Sequence, residues 1–349
     1  MTAIPNPITD RKTKVLTGCR PDRIPYAELM EGLEPVVLKG LAKEWPLVQA
    51  GLRSYQDAIA YLKTFYNGKT VGVYLGPAEI QGRYSYKADL LGLNFDRERL
   101  PLDQILDRLL EHLGDPNPPS IYIGSTTLDG CLPGMRQHNN DLVFNHEMFD
   151  DNEPLASIWI GNPSVASAHY DAPNNIACCV VGKRRFTLFP PEQIANLYPG
   201  PLDPTPGGQA ISMVDFRNPD FTKYPRFREA IEVAQVAELE AGDVLFYPSL
   251  WWHQAEAFAP FNILVNYWWS TAPKYMGTPM NVLYHAMLSL RDRPEHEKQG
   301  WQRIFDYYIF GSTAKPRAHM PEHAHGDLGP MDETKARRLR AMLINKLNR

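Results

Sequence analysis

Two histidines and one aspartate carry the chemistry this chain is equipped to do. His169 and Asp171 lie two residues apart, so on a β-strand their side chains share one face. His253 closes a second strand-like run, Val244 to Trp252, that follows the turn Ala241-Gly242-Asp243. Brought together from neighbouring strands, two imidazoles and one carboxylate cap one face of an octahedral metal and leave its other positions open. That donor set suits a non-haem ferrous ion with a co-substrate and dioxygen beside it. An HxD pair alone recurs by chance; here the turn, the strand and the distal histidine add weight. The structural alternatives are a hydrogen-bonded core histidine for His169 or His253 and a loop-capping carboxylate for Asp171.

The remaining histidines form no comparable set. His319, His323 and His325 cluster between Pro316 and Pro330, a stretch that reads as solvated loop. His146, close to Asp150 and Asp151, is expected near the pocket. His112, His138, His285 and His296 have no partner pattern. The four cysteines, Cys19, Cys131, Cys178 and Cys179, lack CxxC spacing and read as reduced, mostly buried thiols of a cytoplasmic protein. No serine or cysteine nucleophile arrangement competes. Gly207-Gly208 follows Pro206 in a loop and opens no helix, so it is no phosphate cradle.

The elements that must position these residues are short strands. Candidates between Ser120 and Trp269 are Ser120–Ile123, Ala156–Ile160, Ile176–Val181, Arg185–Phe189, Val244–Tyr247 and Ile263–Trp269, separated by Gly, Pro and Asn turns. Antiparallel strands at this spacing suggest a barrel or double-sheet jelly roll. Residues 198–228 read as a long ordered insertion. Before the strands the pattern is mixed α/β. A helix starts near Tyr26, strands cover Pro35–Leu41 and Thr70–Leu75, and Ser54 is placed to cap a helix. Leu102, Ile105, Leu106, Leu109 and Leu113 form a helical stripe of core type. After Pro279 the chain turns helical, with Met280/Leu283/Met287/Leu290 and Trp301/Ile304/Phe305/Tyr308 as apolar faces and Asp332 as a cap. The expected layout is an N-terminal α/β segment (1–113), a jelly-roll core (114–275) and C-terminal helices (276–349).

Composition narrows the class. The chain has 349 residues, 44% hydrophobic and 22% charged, with a formal net charge of −4. That is ordinary for a globular protein and offers no overall electrostatic grip on nucleic acid or anionic lipid. No run of about 18 apolar residues occurs, so no membrane-spanning helix is expected. Met1 to Lys14 lacks the apolar core of a signal peptide. The 31 prolines, roughly twice the usual share, suit a loop-rich β protein.

Several motifs, in order, resemble a known family. They are EPVVLKGLAKEWP (34–46), SAHYDAPNN (167–175), GKRRFTLFPPEQIANLYPGPLD (182–203), VDFRNPDFTKYPRF (214–227), AGDVLFYPSLWWH (241–253) and LVNYWW (264–269). Together they resemble the JmjC-type, cupin-like Fe(II)/2-oxoglutarate oxygenases. The nearest likeness is to the asparaginyl hydroxylase branch (factor inhibiting hypoxia-inducible factor) and its bacterial cupin-like relatives. The resemblance implies a double-stranded β-helix with a helical C-terminal dimerisation region. It implies iron on His169, Asp171 and His253, chelated by 2-oxoglutarate. It also implies roles in the co-substrate pocket for Tyr122, Asn175, Asn266 and Trp268.

Two departures from the family pattern bear on the site. The lysine that holds the distal carboxylate of 2-oxoglutarate aligns with Arg184. Strand parity agrees, since Arg184 shares a face with Phe186 and Leu188 while Lys183 and Arg185 point the other way. Arginine also grips a carboxylate, through two parallel N–H donors. Ala166 stands where the asparaginyl hydroxylases carry a threonine, and Gly124 where they carry a substrate-binding glutamine. The expectation is an Fe(II)/2-oxoglutarate dioxygenase that hydroxylates a protein or peptide side chain or a small molecule, with nucleic acid disfavoured. A metal-binding cupin without 2-oxoglutarate chemistry and a non-catalytic sensor are the alternatives.

Overall fold

Among the described residues, alternation of inward and outward side chains along fourteen short strands builds two facing sheets. The structure is a computed structural model that describes residues 6–348. It divides into two compact units, one reaching to Ser270 and one beginning at Thr271.

In the first unit the strands before the site are β1 (Lys14–Leu16), β2 (Val36–Leu38), β3 (Thr70–Gly76), β4 (Arg83–Tyr84), β5 (Asp96–Pro101) and β6 (Ser120–Thr127). Those that carry the site are β7 (Leu155–Gly161), β8 (Ser164–Tyr170), β9 (Asn174–Val181) and β10 (Arg184–Phe189). The last are β11 (Gln235–Leu239), β12 (Val244–Tyr247), β13 (Trp252–Ala257) and β14 (Asn262–Trp269). A nine-stranded sheet has the order β1-β2-β12-β9-β14-β7-β6-β3-β5, and a five-stranded sheet the order β11-β10-β13-β8-β4. Most neighbours are antiparallel; β1–β2 and β4–β8 are parallel. This mainly β architecture with flanking helices matches the expected jelly roll.

Parity assigns each residue of the large sheet to one of two environments. On β14, Val265, Tyr267 and Trp269 join the main core, while Asn266 and Trp268 line a cavity between the sheets. On β9, Ile176, Cys178 and Val180 enter that core, while Ala177 and Cys179 pack with Phe186 and Leu188 of β10. All eight residues of β9 are buried, because helices cover the outer face. One such helix, Leu102–Glu111, buries the stripe Leu102, Ile105, Leu106 and Leu109 against Val71, Val73, Ile121 and Ile123. Each such side chain stabilises the fold by about 1.5–3 kcal/mol. Ser54 caps the helix Tyr55–Phe65 as its position suggested, its hydroxyl accepting from Asp57 N–H at 3.0 Å.

The run from Val244 to Trp252 is not one strand. It splits at Pro248–Trp251, and β12 and β13 belong to different sheets. Leu250 sits at the corner with φ of 66° and donates its N–H to Asp171 O at 2.9 Å. Ser249 Oγ donates to Ala172 O at 2.6 Å. These bonds fasten the corner to the loop after β8, so His253 lies near the start of a new strand instead of following on from the old one.

The second unit holds helices Pro279–Ser289, Glu295–Phe305 and Glu333–Leu347. Asp332 caps the last, accepting from Lys335 N–H at 2.8 Å. No described helix is long and apolar enough to cross a membrane.

Candidate metal centre and its pocket

His169 and His253 are directly opposed across β8 and β13. Strand β8 ends at Tyr170, and Asp171 follows as the first residue of the loop. The ligand atoms of His169, Asp171 and His253 lie within 4.8 Å of one another. Among the described residues no other group of His, Cys, Asp and Glu meets that condition. His319, His323 and His325 therefore form no second cluster.

Each imidazole is oriented by the backbone carbonyl two residues before it. His169 Nδ1 lies 2.9 Å from Ser167 O, and His253 Nδ1 lies 3.0 Å from Trp251 O. A carbonyl can only accept, so in each ring Nδ1 carries a proton and Nε2 is the nitrogen left to face the site. Burial, and secondly the neighbouring His169, push the His253 imidazole down to about 4. It is neutral at pH 7, the state a metal requires. Trp268 Nε1 donates to Asp171 Oδ2 at 3.2 Å, and Asn175 Nδ2 approaches the same oxygen at 3.5 Å. Outer contacts of this kind orient metal ligands. The donor chemistry and these supports fit a divalent ion.

The triad opens into a cavity of about 480 Å³. Tyr122, Asn175, Arg184, Asn266 and Trp268, the pocket residues expected from the sequence, all line it, as do Ala166 and Gly124. A Cβ at Gly124 would stand 3.2 Å from the Tyr74 ring, so glycine keeps that wall thin. Arg184 is 3% exposed, and its Nε and Nη2 have no hydrogen-bond partner among the described residues. These two donors share one edge of the guanidinium, the edge that matches a carboxylate. Lys183 points outward to Glu240 at 3.1 Å, and Arg185, itself buried on the face away from the cavity, meets Glu238 at 3.1 Å. Burial pushes the Tyr122 phenol up to about 12 against the pull of Arg184, so it remains a hydrogen-bond donor at neutral pH.

Register relates Arg184 to the triad. His253 pairs with Leu188 and Ala257 with Arg184. The arginine therefore stands four residues along the strand from His253, roughly 13 Å between backbones. A long side chain covers part of that distance and leaves room for a short dicarboxylate.

The sequence reading missed several wall residues. Tyr74 on β3, Tyr84 on β4, Trp159 on β7 and Tyr247 on β12 line the cavity. Tyr84 Oη is buried and has no hydrogen-bond partner among the described residues. The insertion supplies Pro206, Gly207, Gln209 and Ile211 to the wall. Arg97 on β5 pins that segment, donating from Nη2 to Thr205 O at 2.5 Å and Pro206 O at 2.6 Å. Strand parity marks Tyr74 and Tyr247 as inward only once the sheets are known. His146 does not line the cavity; its Nδ1 accepts from Met148 N–H at 3.2 Å and caps a turn. The local capping bond accounts for its place.

The fold and the site define a cupin-like protein with a two-histidine, one-carboxylate centre. The chain belongs to the family described as "Cupin-like domain", whose profile matches residues 21–275. It is 28% identical over 234 residues to "JmjC domain-containing protein D" of Dictyostelium discoideum, covering 63% of this chain and 48% of that one. It is 34% identical over 138 residues to "Lysine-specific demethylase JMJ31" of Arabidopsis thaliana, covering 37% and 24%. It is 33% identical over 252 residues to mouse "tRNA wybutosine-synthesizing protein 5", covering 69% and 72%. The chain thus spans about half or less of the first two relatives.

Proposed function

We propose that the protein is an Fe(II)- and 2-oxoglutarate-dependent dioxygenase that hydroxylates a C–H bond of a protein or peptide side chain or of a small molecule. His169, Asp171 and His253 would hold the iron. Arg184 and Tyr122 would bind the distal carboxylate of 2-oxoglutarate, with Asn175, Asn266 and Trp268 around its metal-binding end. When bound, iron and co-substrate supply the oxidising power for C–H hydroxylation. The chain's own part is to orient both and to exclude water.

The observation that carries this reading is the unsatisfied Nε/Nη2 edge of Arg184, buried in the same cavity as the triad. A buried cation with an open carboxylate-shaped edge calls for an anionic ligand. A metal-binding cupin that used no oxo acid would have no need of it. The relatives' names span a demethylase and a tRNA-modifying protein, so they specify no substrate here. Gly124 stands in place of the substrate-binding glutamine of the asparaginyl hydroxylases, which leaves asparagine as target unsupported, and Ala166 removes a hydroxyl from the distal-carboxylate end of the co-substrate site.

Succinate formation from 2-oxoglutarate by the Fe(II)-loaded protein tests the reading, screened against peptides, free amino acids and metabolites. Metal binding without succinate under any of these would favour the cupin alternative. The second unit supports a homodimer: Leu283, Trp301, Ile304 and Tyr308 are 42%, 39%, 44% and 47% exposed. Apolar helix faces this open are ordinarily covered by a partner, and a twofold interface covers both copies at once.

A further inference from the structure

A directional hydrogen-bond chain ends at the metal site. The Trp159 indole can only donate, and Nε1 donates to Asn266 Oδ1 at 2.7 Å. That fixes the Asn266 amide, whose Nδ2 donates to Asn175 Oδ1 at 3.2 Å. Asn175 Nδ2 in turn donates to Tyr247 Oη at 2.6 Å. Each acceptor is thereby spoken for, and one hydrogen is left at the end of the chain, on the Tyr247 hydroxyl. Tyr247 is 3% exposed. Among the described residues the acceptor it meets is His253 Nε2, at a long 3.4 Å.

That lone pair is the one a metal would take, because His253 Nδ1 already donates to Trp251 O. With the ion bound, the Tyr247 hydrogen needs a new acceptor beside the ion, and a buried donor left without one is destabilising. We propose that Tyr247 is a ligand-binding residue of this centre, donating to a carboxylate oxygen of an oxo acid chelated on the metal. The inference rests on the metal and co-substrate reading above. It gives the oxo acid two grips, Arg184 at its distal carboxylate and Tyr247 at its metal-bound end. Tyr247 pairs with Asn175 across β12 and β9, which places the donor on the pocket face.

Tyr247→Phe keeps the ring and removes the hydroxyl. Anaerobic titration of the Fe(II)-loaded protein with 2-oxoglutarate, followed through the visible charge-transfer band, gives affinity and band position together. The expected variant binds Fe(II) within about twofold of wild type and 2-oxoglutarate roughly tenfold more weakly, the loss of one charge-assisted hydrogen bond. Its band should also move, because the hydrogen bond to the chelating carboxylate is gone. Unchanged affinity and band position in a folded variant would overturn the proposal. If wild type itself gave no band, the co-substrate reading would fail. Oxalate binding to the Mn(II)-loaded protein, read by paramagnetic resonance, then decides Tyr247 separately. Tighter oxalate binding by wild type than by Tyr247→Phe supports the donor role, and equal binding removes it.

Discussion

His169 and His253 face each other across two antiparallel strands with ring centroids 4.4 Å apart. Two protonated imidazoles could not stay so close in a buried site. Their Nδ1–H bonds to Ser167 and Trp251 carbonyls leave Nε2 as the ring nitrogen nearer Asp171 in each, and His253 Nε2 lies 3.7 Å from Asp171 Oδ2. The pair is arranged to accept a cation.

Removing one ligand should therefore cost the ion. His169→Ala and Asp171→Ala should each weaken Fe(II) or Mn(II) binding by more than the roughly 10–100-fold typical of outer-sphere changes, and abolish turnover. Metal titration checks this, with thermal unfolding as the control for folding. Wild-type affinity in both variants would remove the triad from consideration.

Arg184→Ala should weaken 2-oxoglutarate binding by roughly 30-fold or more, since deleting one partner of a buried charge pair costs on the order of 2–5 kcal/mol. Iron affinity should change little, because Arg184 stands along β10 from the triad. Calorimetry on the metal-loaded protein measures both. Lys183 points outward to Glu240, and Arg185 lies buried on the face away from the cavity, near Glu238 and Glu256, so the alanine variants should bind co-substrate normally where they remain folded.

The buried neutral His253 makes the metal-free protein acid-sensitive. The unfolded chain protonates this imidazole below about 6.5, whereas the folded chain holds it neutral down to about 4. The unfolded state binds more protons across that window, so stability is full above it and falls as pH drops through it. The loss amounts to roughly 3 kcal/mol at most. Urea midpoints measured between pH 7 and 4 should fall more steeply for wild type than for His253→Gln. Parallel curves would show that His253 is not held neutral.

Sedimentation at micromolar concentration should find a dimer. Ile304→Arg with Phe305→Arg introduces charge on the helix Glu295–Phe305 and should give a folded monomer. A monomeric wild type would end the dimer proposal.

Much of the site was legible from spacing of two. The inward turn of Arg184, with Arg185 on the opposite face, is a property of one strand, decided by pleat parity, whereas Asp171 lies one residue past the end of β8 and meets His169 from the loop. The capping roles of Ser54 and Asp332 were equally local, because an N-cap hydroxyl or carboxylate bonds a backbone N–H within three residues. What local pattern did not contain is which strand meets which. The change of sheet between Tyr247 and Trp252 turns on a corner at Leu250, tied by hydrogen bonds to Asp171 and Ala172 across the fold. Tyr247 entered the site through the pairing of β12 with β9, and Arg97 reached the pocket wall through carbonyls more than a hundred positions away. Such contacts are paid for by packing two sheets face to face, and neighbouring residues carry no trace of them.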